Sequence, residues 1–131
     1  MPMKLTMQFT HPPMAVSPNG RVHWGKRAKL VAELRRSAFL HALSARRSVP
    51  AGDCFLPVGY ALVWYYKGPC PDADNCLARC KALLDGCADA FGVNDRGLEV
   101  DGIRRVHTLD ERAGTLELVF RDNGFFTNNN N

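Results

Sequence analysis

The chain has 131 residues, a single domain's length and enough to bury a core without disulfides or metals. Hydrophobic residues make up 46% and charged residues 23%, which excludes a disordered chain, a collagen-like chain and a coiled coil. The net charge of +4 conceals a split, because residues 1–50 carry nine Lys and Arg against Glu33 alone, whereas residues 51–131 carry eight bases and twelve acids.

In chain order, Met1-Pro2-Met3-Lys4 lacks the apolar run of a signal peptide, so a cytoplasmic protein is the expectation. Residues 4–10 alternate polar and apolar and read as a strand with one buried face. Pro12, Pro13, Pro18, Asn19 and Gly20 make the next ten residues a loop. His23 reads as a capping or packing residue and Trp24 as a core or lid residue. Residues 26–46 contain no Gly or Pro, and Ala28, Val31, Leu34, Ala38, Ala42 and Ala45 recur at helical spacing between basic residues. They predict a helix with a small-residue inner stripe and a basic outer face. Pro50 and Gly52 end it. Residues 58–67 are β-branched and aromatic on both faces, as in a central strand covered on both sides, and their apolar run is too short to span a bilayer. Residues 75–91 predict a second helix, stopped by Gly92. Strands over 103–109 and 115–121 are expected to form a hairpin through a turn at 110–114. The order β-α-β-α-β-β gives an α/β fold: one domain over 1–122 with a small mixed sheet and two helices, and a polar tail over 123–131 that reads as mobile.

The second helix has two faces. At 100° per residue, Asp74, Lys81 and Asp85 fall within about 20° of one line. Leu77, Leu83, Leu84, Phe91 and the cysteines Cys76, Cys80 and Cys87 fall on the opposite side. The five cysteines are odd in number, include no Cys-x-x-Cys pair and match no common zinc spacing, so they read as buried thiols and no zinc is expected. The charged row is open to two readings. It could be a solvated face with weak ion pairs, Asp74 serving only as a helix cap. Alternatively, Asp72 stands two residues before Asp74 in an extended entry segment, and a hard divalent cation would relieve the repulsion between two parallel carboxylates. Asp95 follows Gly92-Val93-Asn94, where a chain reversal could return it to the same place.

Three segments, Asp72-Ala73-Asp74-Asn75, Lys81-Ala82-Leu83-Leu84-Asp85-Gly86 and Ala90-Phe91-Gly92-Val93-Asn94-Asp95, together resemble the RusA family of Holliday junction resolvases. Many of its members come from phages or prophages. That family shows Asp-x-Asp-Asn, a lysine with an aspartate four residues later, and a Gly-containing segment ending in an acidic pair. The run from Ser17 through Asn19 and Arg21 to Trp24 is similar to its N-terminal loop, so the likeness extends over residues 14–95. It implies Asp72, Asp74, Lys81 and Asp95 as catalytic residues, with Asp72, Asp74 and Asp95 holding Mg²⁺ or Mn²⁺ and Asp85 supporting them. It also implies a homodimer that cuts four-way DNA junctions in recombination and repair, in the cytoplasm of a bacterial cell or phage-infected host. Lys26, Arg27, Lys29, Arg35 and Arg36, with Asn19 and Arg21 before them, then become the partners of DNA phosphates. Three features depart from the pattern: Lys81 lies seven residues from Asp74 rather than four, Asn94 replaces one acid of the pair, and Gly25 stands where a basic residue is usual. The rival readings are a nuclease for other branched or flapped DNA, a DNA-binding protein without catalysis, and a zinc-stabilised interaction module.

Overall fold

The alternating N-terminal pattern becomes strand β1 (Lys4–Thr10), with Leu5 and Met7 buried and Lys4, Thr6 and Gln8 exposed. In this computed structural model the described residues are 3–17, 23–49 and 54–124, so Asn19, Arg21 and the tail from residue 125 onward lie outside them. Helix α1 (Trp24–Arg47) begins earlier than its periodicity suggests, because the Nδ1 of His23 accepts the Gly25 N–H at 3.2 Å and caps the first turn. Ser48 closes it, its hydroxyl donating to the Ala45 carbonyl at 2.7 Å. Strand β2 (Pro57–Tyr66), helices α2 (Ala73–Arg79) and α3 (Lys81–Phe91), and strands β3 (Glu99–His107) and β4 (Thr115–Asp122) complete the order.

Among the described residues the fold is mixed α/β, with a four-stranded mixed sheet and three helices. The third helix is a correction. The expected single helix breaks at Cys80, whose N–H bonds the Leu77 carbonyl at 3.0 Å while its own backbone sits at φ −91° and ψ 0°. One turn is thereby tightened toward 3₁₀ geometry before α3 resumes.

The expected hairpin is also corrected. The sheet order is β1-β4-β2-β3, so β3 and β4 are not neighbours. β3 runs parallel to β2, and β4 lies antiparallel between β1 and β2. The intervening segment passes over the end of β2, where the Thr108 N–H reaches the Tyr66 carbonyl at 2.8 Å and the Gly114 N–H reaches the Tyr65 carbonyl at 3.1 Å. β2, the most apolar strand, takes a partner on each edge, and the long α2–α3 return permits the parallel pairing with β3.

Among the described residues the helices pack on one face of the sheet only. Leu5, Met7, Tyr60, Leu62, Trp64, Leu116, Leu118 and Phe120 meet Ala38, Ala42, Cys76, Cys80, Leu83, Cys87 and Phe91 in a single core. Ala61 and Val63 on the other face of β2 are half-buried, so that strand is central but not covered by helices on both sides. α1 crosses α3 closely at Gly86, where an added Cβ would lie 2.1 Å from the Arg35 carbonyl oxygen and 2.9 Å from the Ala38 Cβ. Arg35 reinforces the crossing with two bonds to Asp89, at 2.7 and 3.0 Å. Among the described residues no helix is long and apolar enough to cross a membrane.

Candidate active site

Pro69 and Pro71 stop β2 from continuing, and the chain enters α2 through Asp72. Asp72 is the N-cap: its Oδ1 accepts the Asn75 N–H at 2.9 Å. The cap is therefore Asp72 and not Asp74, which sits exposed in the first turn, where a carboxylate suits the helix dipole. Lys81 opens α3. Its Nζ donates to the Asp85 Oδ1 at 2.8 Å, one turn on, and also to the Asp95 carboxylate. Asp95 returns to this place because Gly92 takes a left-handed conformation (φ 71°), and Asn94 then caps a short 3₁₀ turn at Asp95–Gly97.

Burial pulls the Lys81 ammonium downward, but its bonds to Asp85 and Asp95 outweigh this and its pKa is raised from the ordinary lysine value. The bond from Lys81 holds Asp95 below the usual carboxylate range. Lys81 is thus a standing cation at neutral pH, flanked by two carboxylates.

A cleft of about 500 Å³ opens beside this group. Arg27 and Val31 of α1 form one wall, and Asp74, Arg79, Lys81 and Asp85 form the other. The single face expected for Asp74, Lys81 and Asp85 is therefore present despite the break at Cys80. The seven-residue spacing from Asp74 to Lys81 spans about two helical turns, roughly 10 Å of rise. Asp72 and Asp74 consequently stand at one end of the helical segment, while Lys81, Asp85 and Asp95 stand at the other. Among the described residues no group of three or more His, Cys, Asp or Glu side chains is gathered closely enough to hold a metal ion.

The residues expected to meet nucleic acid divide by environment. Lys26 and Arg36 are exposed on α1. Arg27 lines the cleft and donates to the Val16 carbonyl at 3.3 Å. Arg35 is engaged with Asp89. Trp24 is not a core residue: it is 77% exposed, its ring stacked against His23.

Arg79 is a functional candidate that periodicity does not single out. Its guanidinium lies 5.2 Å over the Trp64 ring, its Nη2 donates to the Pro12 carbonyl, and its Nε is buried with no hydrogen-bond partner among the described residues. It also lines a second cleft, with Met14, Pro69, Cys70 and Asn75. The sequence signal for it is its place as the one base between Asp74 and Lys81. Arg105 of β3 reaches the acidic segment too, donating to the Pro71 carbonyl at 3.2 Å.

Cys76, Cys80 and Cys87 are buried among the core side chains as their spacing indicates, and burial pushes each thiol up to about 12. Cys54 is exposed and Cys70 only partly buried, so the expectation of buried thiols does not extend to all five.

No family model matches the chain. An uncharacterized protein of Xylella fastidiosa (strain Temecula1 / ATCC 700964) is 44% identical to it over 89 residues, covering 65% of this chain. The chain spans 56% of that protein's length.

Proposed function

We propose that this chain is a Mg²⁺- or Mn²⁺-dependent endodeoxyribonuclease that acts on four-way DNA junctions as a homodimer. The observation that carries the proposal is Lys81, held between Asp85 and Asp95 at a cleft that also presents Asp74, Arg27 and Arg79. Hydrolysis of a phosphodiester calls for carboxylate oxygens and fixed cations side by side, and this cleft supplies both. The resemblance to RusA resolvases over residues 14–95 supports the substrate class and the role in recombination and repair.

The donor chemistry fits a hard divalent cation. Asp74 makes no hydrogen bond or ion pair among the described residues, and capping uses only the Oδ1 of Asp72, so carboxylate oxygens remain for an ion that retains several waters. Asp72 and Asp74 would hold it, whereas Asp95, which the resemblance implies as a third ligand, is paired with Lys81 at the other end of the helical segment. A divalent ion supplies Lewis-acid polarisation of the phosphate and a bound water of lowered pKa. Lys81 stabilises the negative charge that develops on the phosphoryl oxygens. Arg27 and Arg79 hold the neighbouring backbone phosphate. Two copies related by a two-fold axis place two such clefts on the two strands that a junction requires to be cut.

The test is incubation of a synthetic four-way junction, a flap and a linear duplex with the protein, with and without Mg²⁺. Paired symmetric nicks in the junction alone are expected. Cleavage of the flap instead would favour a nuclease for other branched DNA, and a gel shift with intact DNA would favour a binding protein. Asp74→Asn, which removes a charge while nearly preserving shape, should abolish cleavage and leave junction binding equal or tighter. Full Mg²⁺-dependent cleavage by that variant would overturn the assignment of Asp74.

A further inference from the structure

We propose that Cys70 and Cys76 are a reversible disulfide pair that closes the chain segment bearing Asp72 and Asp74. Both thiols converge on one atom: the Sγ of Cys70 donates to the Pro71 carbonyl oxygen at 3.3 Å, and the Sγ of Cys76 donates to the same oxygen at 3.6 Å. The backbone between them is already turned, because Asp72 caps α2 and its carbonyl accepts the Cys76 N–H at 2.9 Å. Arg105 holds the same Pro71 carbonyl from β3.

The two thiols differ in access. Cys70 is partly exposed and lines the second cleft, whereas Cys76 is fully buried. An oxidant from solvent therefore meets Cys70 first, and Cys76 is the internal thiol that completes the bond. With a low-molecular-weight disulfide such as oxidised glutathione, Cys70 gives up its proton and its sulfur attacks one glutathione sulfur. The glutathione disulfide breaks, and one glutathione leaves and takes up a proton. Cys76 then gives up its proton and attacks the Cys70 sulfur, releasing the second glutathione. The two cysteines lose two electrons together, and one small disulfide is reduced to two thiols. In a reducing compartment such a bond is transient, the form in which disulfides serve as redox sensors. The bond ties Cys70, ahead of the helix, to the first turn of α2, and both carboxylates lie inside the ring it closes.

The proposal is independent of the nuclease reading, and its test uses no DNA. Trypsin cuts after Lys67 and Arg79, so one peptide, residues 68–79, contains Cys70 and Cys76 and no other cysteine. After the folded full-length chain is incubated with oxidised glutathione, that peptide should lose the mass of two hydrogens and regain it with dithiothreitol. Cys76→Ser should instead leave glutathione attached to Cys70. Cys70→Ser alters only the partly exposed position, and should leave Cys76 an unmodified thiol in the folded protein. A wild-type peptide that keeps two thiols, carries a stable glutathione on Cys70, or is joined to a peptide bearing Cys54 or Cys80 would overturn the proposal. Junction cleavage can fail without altering any of these masses, so the two readings stand or fall separately.

Discussion

Lys81 is where charge and geometry meet most closely. On a solvated surface a lysine with an aspartate one turn away contributes little, less than about 1 kcal/mol. Lys81 differs in holding a second carboxylate, Asp95, which arrives from beyond the end of α3. If this cation stabilises the transition state, Lys81→Ala should lower single-turnover junction cleavage at saturating enzyme by about two orders of magnitude or more, with folding nearly unchanged. A wild-type rate would reduce Lys81 to a surface ion pair. The same ion pair makes an acid-stability prediction. Because the folded-state pKa of Asp95 lies below its unfolded value, its contribution is present above that value, about 3.9, and is lost as pH falls through the folded one. Asp95→Asn should therefore flatten the acid limb of a urea-midpoint-against-pH curve below about pH 4, and an unchanged limb would show that the pair adds nothing. The shared face of Asp74, Lys81 and Asp85 is legible in the sequence because the 100° advance survives one tightened turn. The capping role goes to Asp72 instead of Asp74 because helical geometry begins at Ala73, a boundary that periodicity does not locate. Arg79 is not legible, since what distinguishes it is a ring beneath it and a carbonyl from the distant Pro12.

Among the elements, the pairing of α1 with α3 sets the walls of the cleft. Arg27 stands on one helix and Lys81 with Asp85 on the other, so the distance between the helices sets the width of the site. Gly86 sets that distance: a methyl group there would meet the Arg35 backbone oxygen at 2.1 Å, and a backbone atom cannot swing aside. Gly86→Ala should destabilise the fold by about 1–3 kcal/mol through overpacking, read as a lower urea midpoint at unchanged slope. Gly68→Ala has nothing within 4 Å of the added carbon and should stay within about 0.5 kcal/mol of wild type. Equal effects at the two positions would remove the steric argument. The small-residue stripe of α1 announces such a crossing, and Ala38 and Ala42 are fully buried in it. What the sequence does not reveal is the pairing of β3 and β4. Two strands with a turn between them read locally as a hairpin, but β4 finds β1, more than a hundred residues away, and β2 separates it from β3. That choice depends on the whole sheet satisfying its edges, which no short window contains.

Across the whole molecule the split between a basic first half and an acidic second half is resolved partly by folding. Arg35 faces Asp89 across the helix crossing, and Arg46 donates to the Ala90 carbonyl. These bases belong to the fold as well as to the surface. Lys26 and Arg36 remain exposed on α1, and Arg27 faces the cleft. If α1 carries the DNA backbone, its cations should not be equivalent. A base that meets phosphate displaces counterions, and each phosphate left without its base should flatten the plot of log affinity against log salt by about 0.9 unit on duplex arms. Lys26→Ala combined with Arg36→Ala should therefore weaken junction binding and flatten that slope by up to about 2 units, while leaving the urea midpoint near wild type. Arg35→Ala should do the reverse: the Asp89 carboxylate loses its partner, the midpoint falls, and the slope changes less. Both quantities can be measured on the same preparations, by titrating a four-way junction across a salt series and by denaturing each variant. An unchanged slope in the Lys26 and Arg36 double variant would place the DNA away from α1. A flattened slope in Arg35→Ala alone would mean that Arg35 leaves Asp89 to bind DNA.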